Sequence, residues 1–63
     1  MPSNSSREFI RLVEADGWFL VHIAGSHHQY KHPSKKGKVT ISHPKKELPR
    51  KTVESILIQA GLI

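Results

Sequence analysis

Trp18-Phe19-Leu20-Val21-His22-Ile23-Ala24-Gly25-Ser26-His27-His28-Gln29-Tyr30-Lys31-His32-Pro33 is the stretch whose reading decides the fold. Its first part is rich in β-branched and aromatic residues and lies between Gly17 and Gly25, which predicts a strand of about six residues. Gly25-Ser26 then reads as a two-residue hairpin loop, with glycine at the first central position where φ must be positive. In that register Ala24 pairs with His27, His22 with Gln29, Val21 with Tyr30 and Phe19 with His32. Alternation sorts the ribbon into two faces. Phe19, Val21, Ile23, His28, Tyr30 and His32 share a side apolar enough to lie under helices, while Leu20, His22, His27, Gln29 and Lys31 share the other, which leaves His27 open.

The flanking segments supply the helices and one more strand. Ser5-Ser6-Arg7-Glu8 fits a capping box, so a helix starts here, and Phe9, Leu12 and Val13 recur at helical spacing with Ile10 beside them. Asp16-Gly17 supplies the left-handed residue that ends it, giving a helix over Ser6–Ala15. Pro33 to Gly37 is a turn by composition; Lys38 to Ser42 alternates, with Val39 and Ile41 facing the core. His43-Pro44-Lys45-Lys46-Glu47-Leu48-Pro49 is a basic loop whose prolines bias their predecessors away from helix. Val53, Ile56, Leu57 and Ala60 then mark a second helix over Pro49–Ala60, capped by Gly61, with Leu62 and Ile63 folding back onto it. The prediction is a single α+β domain spanning residues 1–63, in the order αβββα: a three-stranded antiparallel sheet with two helices on one face. Residues 1–5 are expected to form a flexible N-terminus.

Composition narrows the function. A chain of 63 residues makes one domain with a small core, and the absence of cysteine excludes disulfides, a thiol nucleophile and a Cys-based zinc site. No signal-like N-terminus and no membrane-length apolar run occur, so the expectation is a cytoplasmic protein without a membrane partner. The formal net charge is +5 and the pI about 10.0. Lys31, Lys35, Lys36, Lys38, Lys45 and Lys46, six of the ten basic residues, fall in a window that contains no carboxylate and is interleaved with His32 and His43. That footprint suits the phosphates of a nucleic acid.

Five histidines raise the question of a metal. His27 and His32, or His28 and His32, lie too far apart along a strand to converge, and no carboxylate between residues 17 and 46 completes a set, so no metal and no cofactor are expected. Cleavage of RNA asks for less. The 2′-OH of RNA is its own nucleophile, so one imidazole that moves a proton and cations that stabilise phosphorane charge suffice. In this reading His27 is the general acid or base, Gly25 and Ser26 shape the supporting turn, and Lys31, Lys35, Lys36, Lys45 and Lys46 contact RNA. Lys45-Lys46 also precedes a helix N-terminus, which favours phosphate. The plainer readings are a solvated His27, His28 and His32 as packing residues, Tyr30 as core, His22 as a surface residue or secondary RNA contact, and Lys35-Lys36 as a solubilising turn.

Several motifs in fixed order carry a resemblance. Asp16-Gly17-Trp18, Gly25-Ser26-His27-His28, Lys31-His32-Pro33, His43-Pro44-Lys45-Lys46-Glu47-Leu48-Pro49, Thr52-Val53 and Gln59-Ala60-Gly61-Leu62 together resemble the HicA toxins of bacterial and archaeal HicAB toxin–antitoxin systems. The resemblance implies a fold like that of double-stranded-RNA-binding domains and a ribosome-independent mRNA interferase that arrests translation by cleaving mRNA and transfer-messenger RNA. It also implies a HicB antitoxin that covers the active histidine and represses the operon, so that DNA is met only through the antitoxin. The family's functional histidine follows its Gly-Ser pair, which maps it to His27. Ser42 stands where many members have proline, and Arg50-Lys51 where an apolar residue and glycine are common; neither is expected to touch the hairpin. The alternative is a non-catalytic double-stranded-RNA-binding module of the same fold, for which His27 would be incidental.

Overall fold

A computed structural model describes residues 4–63. The elements run α1 (Ser6–Ala15), β1 (Phe19–Ala24), β2 (His27–Lys31), β3 (Val39–Ser42) and α2 (Arg50–Gln59), the αβββα order expected. The strands form one antiparallel sheet in the order β1-β2-β3.

Local chemistry sets the boundaries. Ser5 caps α1 by accepting the Glu8 N–H at 3.3 Å, and Gly17 at φ 107° turns the chain out of the helix. Gly25 has φ 61°, as the short hairpin loop demands. Pro49 caps α2 without a side-chain bond, and Leu62 donates its N–H to the Leu57 carbonyl at 2.9 Å, so Leu62 folds back onto the helix whereas Ile63 stays 73% exposed. The N-terminus is tied further out than expected: Leu48 N–H donates to the Asn4 carbonyl at 2.7 Å and Ser5 is the cap, while residues 1–3 of the segment expected to be flexible lie outside the described residues.

The hairpin register agrees with the sequence reading near the turn and departs beyond it. Ala24 pairs with His27, Ile23 with His28 and His22 with Gln29, but Leu20 pairs with Tyr30 and Phe19 with Lys31. A β-bulge between Leu20 and His22 inserts Val21 as an extra residue on β1, so the expected Val21–Tyr30 and Phe19–His32 pairs do not form. The insertion exchanges the faces assigned to Phe19 and Leu20, and β2 ends before His32.

The core consists of Phe9 and Val13 from α1, Trp18, Tyr30 from β2, Val39 and Ile41 from β3, Leu48, and Ile56 and Ala60 around α2. Burying one such large aliphatic side chain stabilises the fold by roughly 1.5–3 kcal/mol. Both helices make their main sheet contacts with β3, and β1 extends past them. Every residue of β1 is therefore exposed, including Phe19 at 50%, Val21 at 44% and Ile23 at 51%, whose alternation predicts a place under the helices. At the opposite edge one backbone donor is occupied, because the Gln59 side chain of α2 accepts the Thr40 N–H at 3.0 Å.

Candidate active site on the open sheet face

Partners in an antiparallel ladder point to the same side, so the register defines the face turned away from the helices. Ile41, Val39 and Tyr30 are buried and mark the packed side, together with His28 opposite Ile41. The other face carries His22 and Ala24 of β1, His27 and Gln29 of β2, and Thr40 and Ser42 of β3. Lys31, opposite Phe19, extends it. His22 and His27 are exposed, and neither imidazole has a hydrogen bond or ion pair among the described residues.

The turn that presents His27 is fastened from behind. The Ser26 carbonyl accepts the His43 N–H at 2.8 Å and lies 3.2 Å from His28 Nδ1. The His28 ring meets His43 edge-on, with centroids 5.1 Å apart and planes at 88°. His43 Nδ1 in turn lies 2.7 Å from the hydroxyl of Ser6, which is buried in the first turn of α1. Ser6 is itself locked to the basic loop: its Oγ accepts the Lys45 N–H at 2.9 Å, and its own N–H donates to the Lys45 carbonyl at 3.0 Å. A strand-end histidine and a helix N-terminus thus anchor the loop preceding His27, and the peptide bond His43–Pro44 within that anchor is cis.

A second set of polar side chains ties the far end of the hairpin to both helices. His32 donates from Nε2 to the Asp16 carbonyl at 2.7 Å, and its Nδ1 accepts the backbone N–H groups of Ser34 and Lys35, each at 3.1 Å. A neutral ring protonated on Nε2 satisfies all three bonds at once. Trp18 packs against this ring edge-on at 5.2 Å and donates its indole N–H to Asp16 Oδ2 at 3.2 Å. The same carboxylate oxygen accepts from the Lys35 ammonium, which also donates to the Ala60 carbonyl at 3.0 Å, at the end of α2. The hydrogen bond from Lys35 is the main cause that holds the Asp16 carboxyl below its usual 3.8. Burial, with a smaller contribution from Glu14, pushes the Tyr30 phenol above its usual 10.0.

The lysines singled out from the sequence divide accordingly. Lys31 and Lys36 are exposed. Lys35 is occupied by Asp16 and Ala60. Lys45 and Lys46 border a cleft of about 590 Å³ beside the first turn of α1, where Arg7 and His43 also line the wall. Among the described residues, no three His, Asp or Glu side chains are grouped to hold a metal ion. Sequence reasoning missed the Ser6–His43 bond and the role of Asp16. The second left a faint signal, since Asp16 and Glu47 are the only carboxylates that bracket the lysines between them.

Three comparisons bear on this arrangement. The family described as "HicA toxin of bacterial toxin-antitoxin" matches residues 6–62. No curated protein matches the chain. Among solved structures, a chain of the "Toxin-Antitoxin complex from Streptococcus pneumoniae" is similar at 30% sequence identity with a TM-score of 0.77, over 92% of this chain and 97% of that one.

Proposed function

The chain belongs to the HicA toxin family, and on that premise we propose that it is the toxin of a type II toxin–antitoxin system, acting as a metal-independent endoribonuclease that cleaves mRNA to arrest translation. His27 carries this reading: an exposed imidazole without a protein partner, on a sheet face free of helices, at a turn anchored to α1 through His43 and Ser6. A general acid or base must be held in place yet have its proton-exchanging nitrogens free, and His27 meets both conditions.

In the reaction His27 moves a proton while the 2′-OH of the RNA attacks the adjacent phosphorus. The ring at position 27 projects from a strand rather than a loose loop, which limits the conformations it must sample before reaction. Lys31, on the same face, is placed to offset the charge that accumulates on the phosphorane, while Lys36, Lys45 and Lys46 attract the flanking backbone. Lys35, its ammonium retained on Asp16, contributes least of these lysines to that positive field. Transfer-messenger RNA is a second substrate of the same chemistry.

The similar Streptococcus pneumoniae chain is part of a toxin–antitoxin complex, which supports a HicB-type antitoxin as the protein partner here. Such a partner masks the open face and meets operator DNA through its own domain, leaving the toxin itself without DNA contacts. The site of action is the cytoplasm, where mRNA is translated. No helix among the described residues is long and apolar enough to cross a membrane.

Incubating the protein with a long mRNA fragment in EDTA tests the reading. Cleavage by wild type, lost in His27→Ala, is the expected result. An intact fragment in both reactions overturns the nuclease, and cleavage by wild type that disappears only when EDTA is added overturns its metal independence.

A further inference from the structure

Transesterification of RNA needs two proton transfers, one from the 2′-OH and one to the departing 5′ oxygen, and a single imidazole supplies one of them. The geometry points to His22 as the second proton-transfer residue, acting with His27 across a phosphodiester that lies on the open face. This inference rests on the ribonuclease reading above.

The register makes the case. His22 is paired with Gln29, and His27 lies two residues before Gln29 on the same strand face, so the two histidines are diagonal neighbours on adjacent strands. Such neighbours stand roughly 7–8 Å apart. That separation leaves room for a phosphoryl group whose attacking and leaving oxygens each take a hydrogen bond of about 2.6–3.2 Å from one ring. Both rings are exposed and have no hydrogen bond or ion pair among the described residues. The remaining side chains of the face are Ala24, Gln29, Thr40, Ser42 and, further along, Phe19 and Lys31. Lys31 can offset phosphorane charge. Gln29, directly opposite His22, can donate to a non-bridging oxygen. Neither an amide nor a hydroxyl exchanges a proton readily near neutral pH, whereas imidazole does. The other three histidines are excluded by their contacts: His28 and His43 meet each other on the packed side, and both ring nitrogens of His32 are engaged.

The step balances without a further reactant. One imidazole, neutral, takes the 2′-OH proton as the O2′–P bond forms. The other, protonated, gives its proton to O5′ as the P–O5′ bond breaks. The products are a 2′,3′-cyclic phosphate and a 5′-hydroxyl, and exchange with water restores both rings.

His22→Gln, His22→Arg and His27→Gln, assayed on one RNA across pH 5 to 8.5, separate this from a merely electrostatic role. We expect His22→Gln to lower kcat roughly 10²-fold with KM little changed and to reduce a bell-shaped pH profile to one limb, with His22→Arg no better. An RNA carrying sulfur in place of the scissile 5′ oxygen has a leaving group that needs no acid. It should restore cleavage to one of the two Gln variants and not to the other, identifying the acid. Wild-type kcat in either His22 variant with the bell retained, or rescue of neither Gln variant by the sulfur substrate, overturns the assignment. If His27→Gln is inactive while His22→Gln is fully active, His22 is dismissed and the nuclease stands. If wild type leaves the RNA intact, both readings fall. An unchanged thermal midpoint in the His22 variants confirms that this exposed position is not needed for folding.

Discussion

His27 and His32 sit at opposite ends of the same hairpin arm, and their surroundings differ in every respect. Around His32 each polar atom is spent: two backbone N–H groups occupy Nδ1, the Asp16 carbonyl occupies Nε2, and Trp18 covers one edge. Around His27 nothing is spent, and the constraint falls on the backbone through Gly25, Ser26 and the His43 anchor. An imidazole whose nitrogens are saturated can only hold a fold together. One whose nitrogens are free, on a backbone that is held, is available for proton transfer.

That contrast can be broken by substitution. The largest effect expected is in His27→Ala, with cleavage down by roughly 10²–10⁴-fold and folding stability within about 0.5 kcal/mol of wild type, measured by urea denaturation. A large stability loss there would erase the contrast. At the other end, Gly17→Ala should cost about 2–3 kcal/mol, because φ is 107° and the added Cβ would come within 2.7 Å of His32 Nε2. His32→Ala should cost about 1–3 kcal/mol by leaving partly buried N–H and carbonyl groups unpaired. In both variants, activity per folded molecule should stay near wild type.

The smallest effect sharpens the comparison by pH. Because Lys35 lowers the Asp16 carboxyl in the folded state, this group stabilises the fold above pH 3.8, and the contribution is lost as pH falls through the lower folded value. In Asp16→Asn that part of the acid dependence should be missing, so denaturation midpoints of variant and wild type should converge as the solution is acidified. A constant gap between them at all pH values would show that Asp16 acts through its neutral hydrogen bonds alone.

Much of the architecture was legible because single residues carry it. Ser5 and Gly17 bound α1, Gly25 makes the turn, and Val39, Ile41, Ile56 and Ala60 reveal their buried faces by spacing. The bulge was not legible. Alternation assumes one residue per pleat, and nothing in Leu20-Val21-His22 marks Val21 as the one left over. The exposure of β1 was hidden for a related reason: its apolar residues predict a strand without saying how far the helices reach across the sheet. At the site, the position of His27 after Gly25-Ser26 could be read directly. The Ser6–His43 bond spans 37 residues and joins two ordinary polar side chains, so only the folded chain brings it into view.

Gln59, the side chain that occupies the Thr40 N–H, also limits how the sheet can grow. A β-sheet with two free edges can add copies without end, and fibres follow from that. Of the two sheet edges, β1 is thus the more open to pairing by another strand.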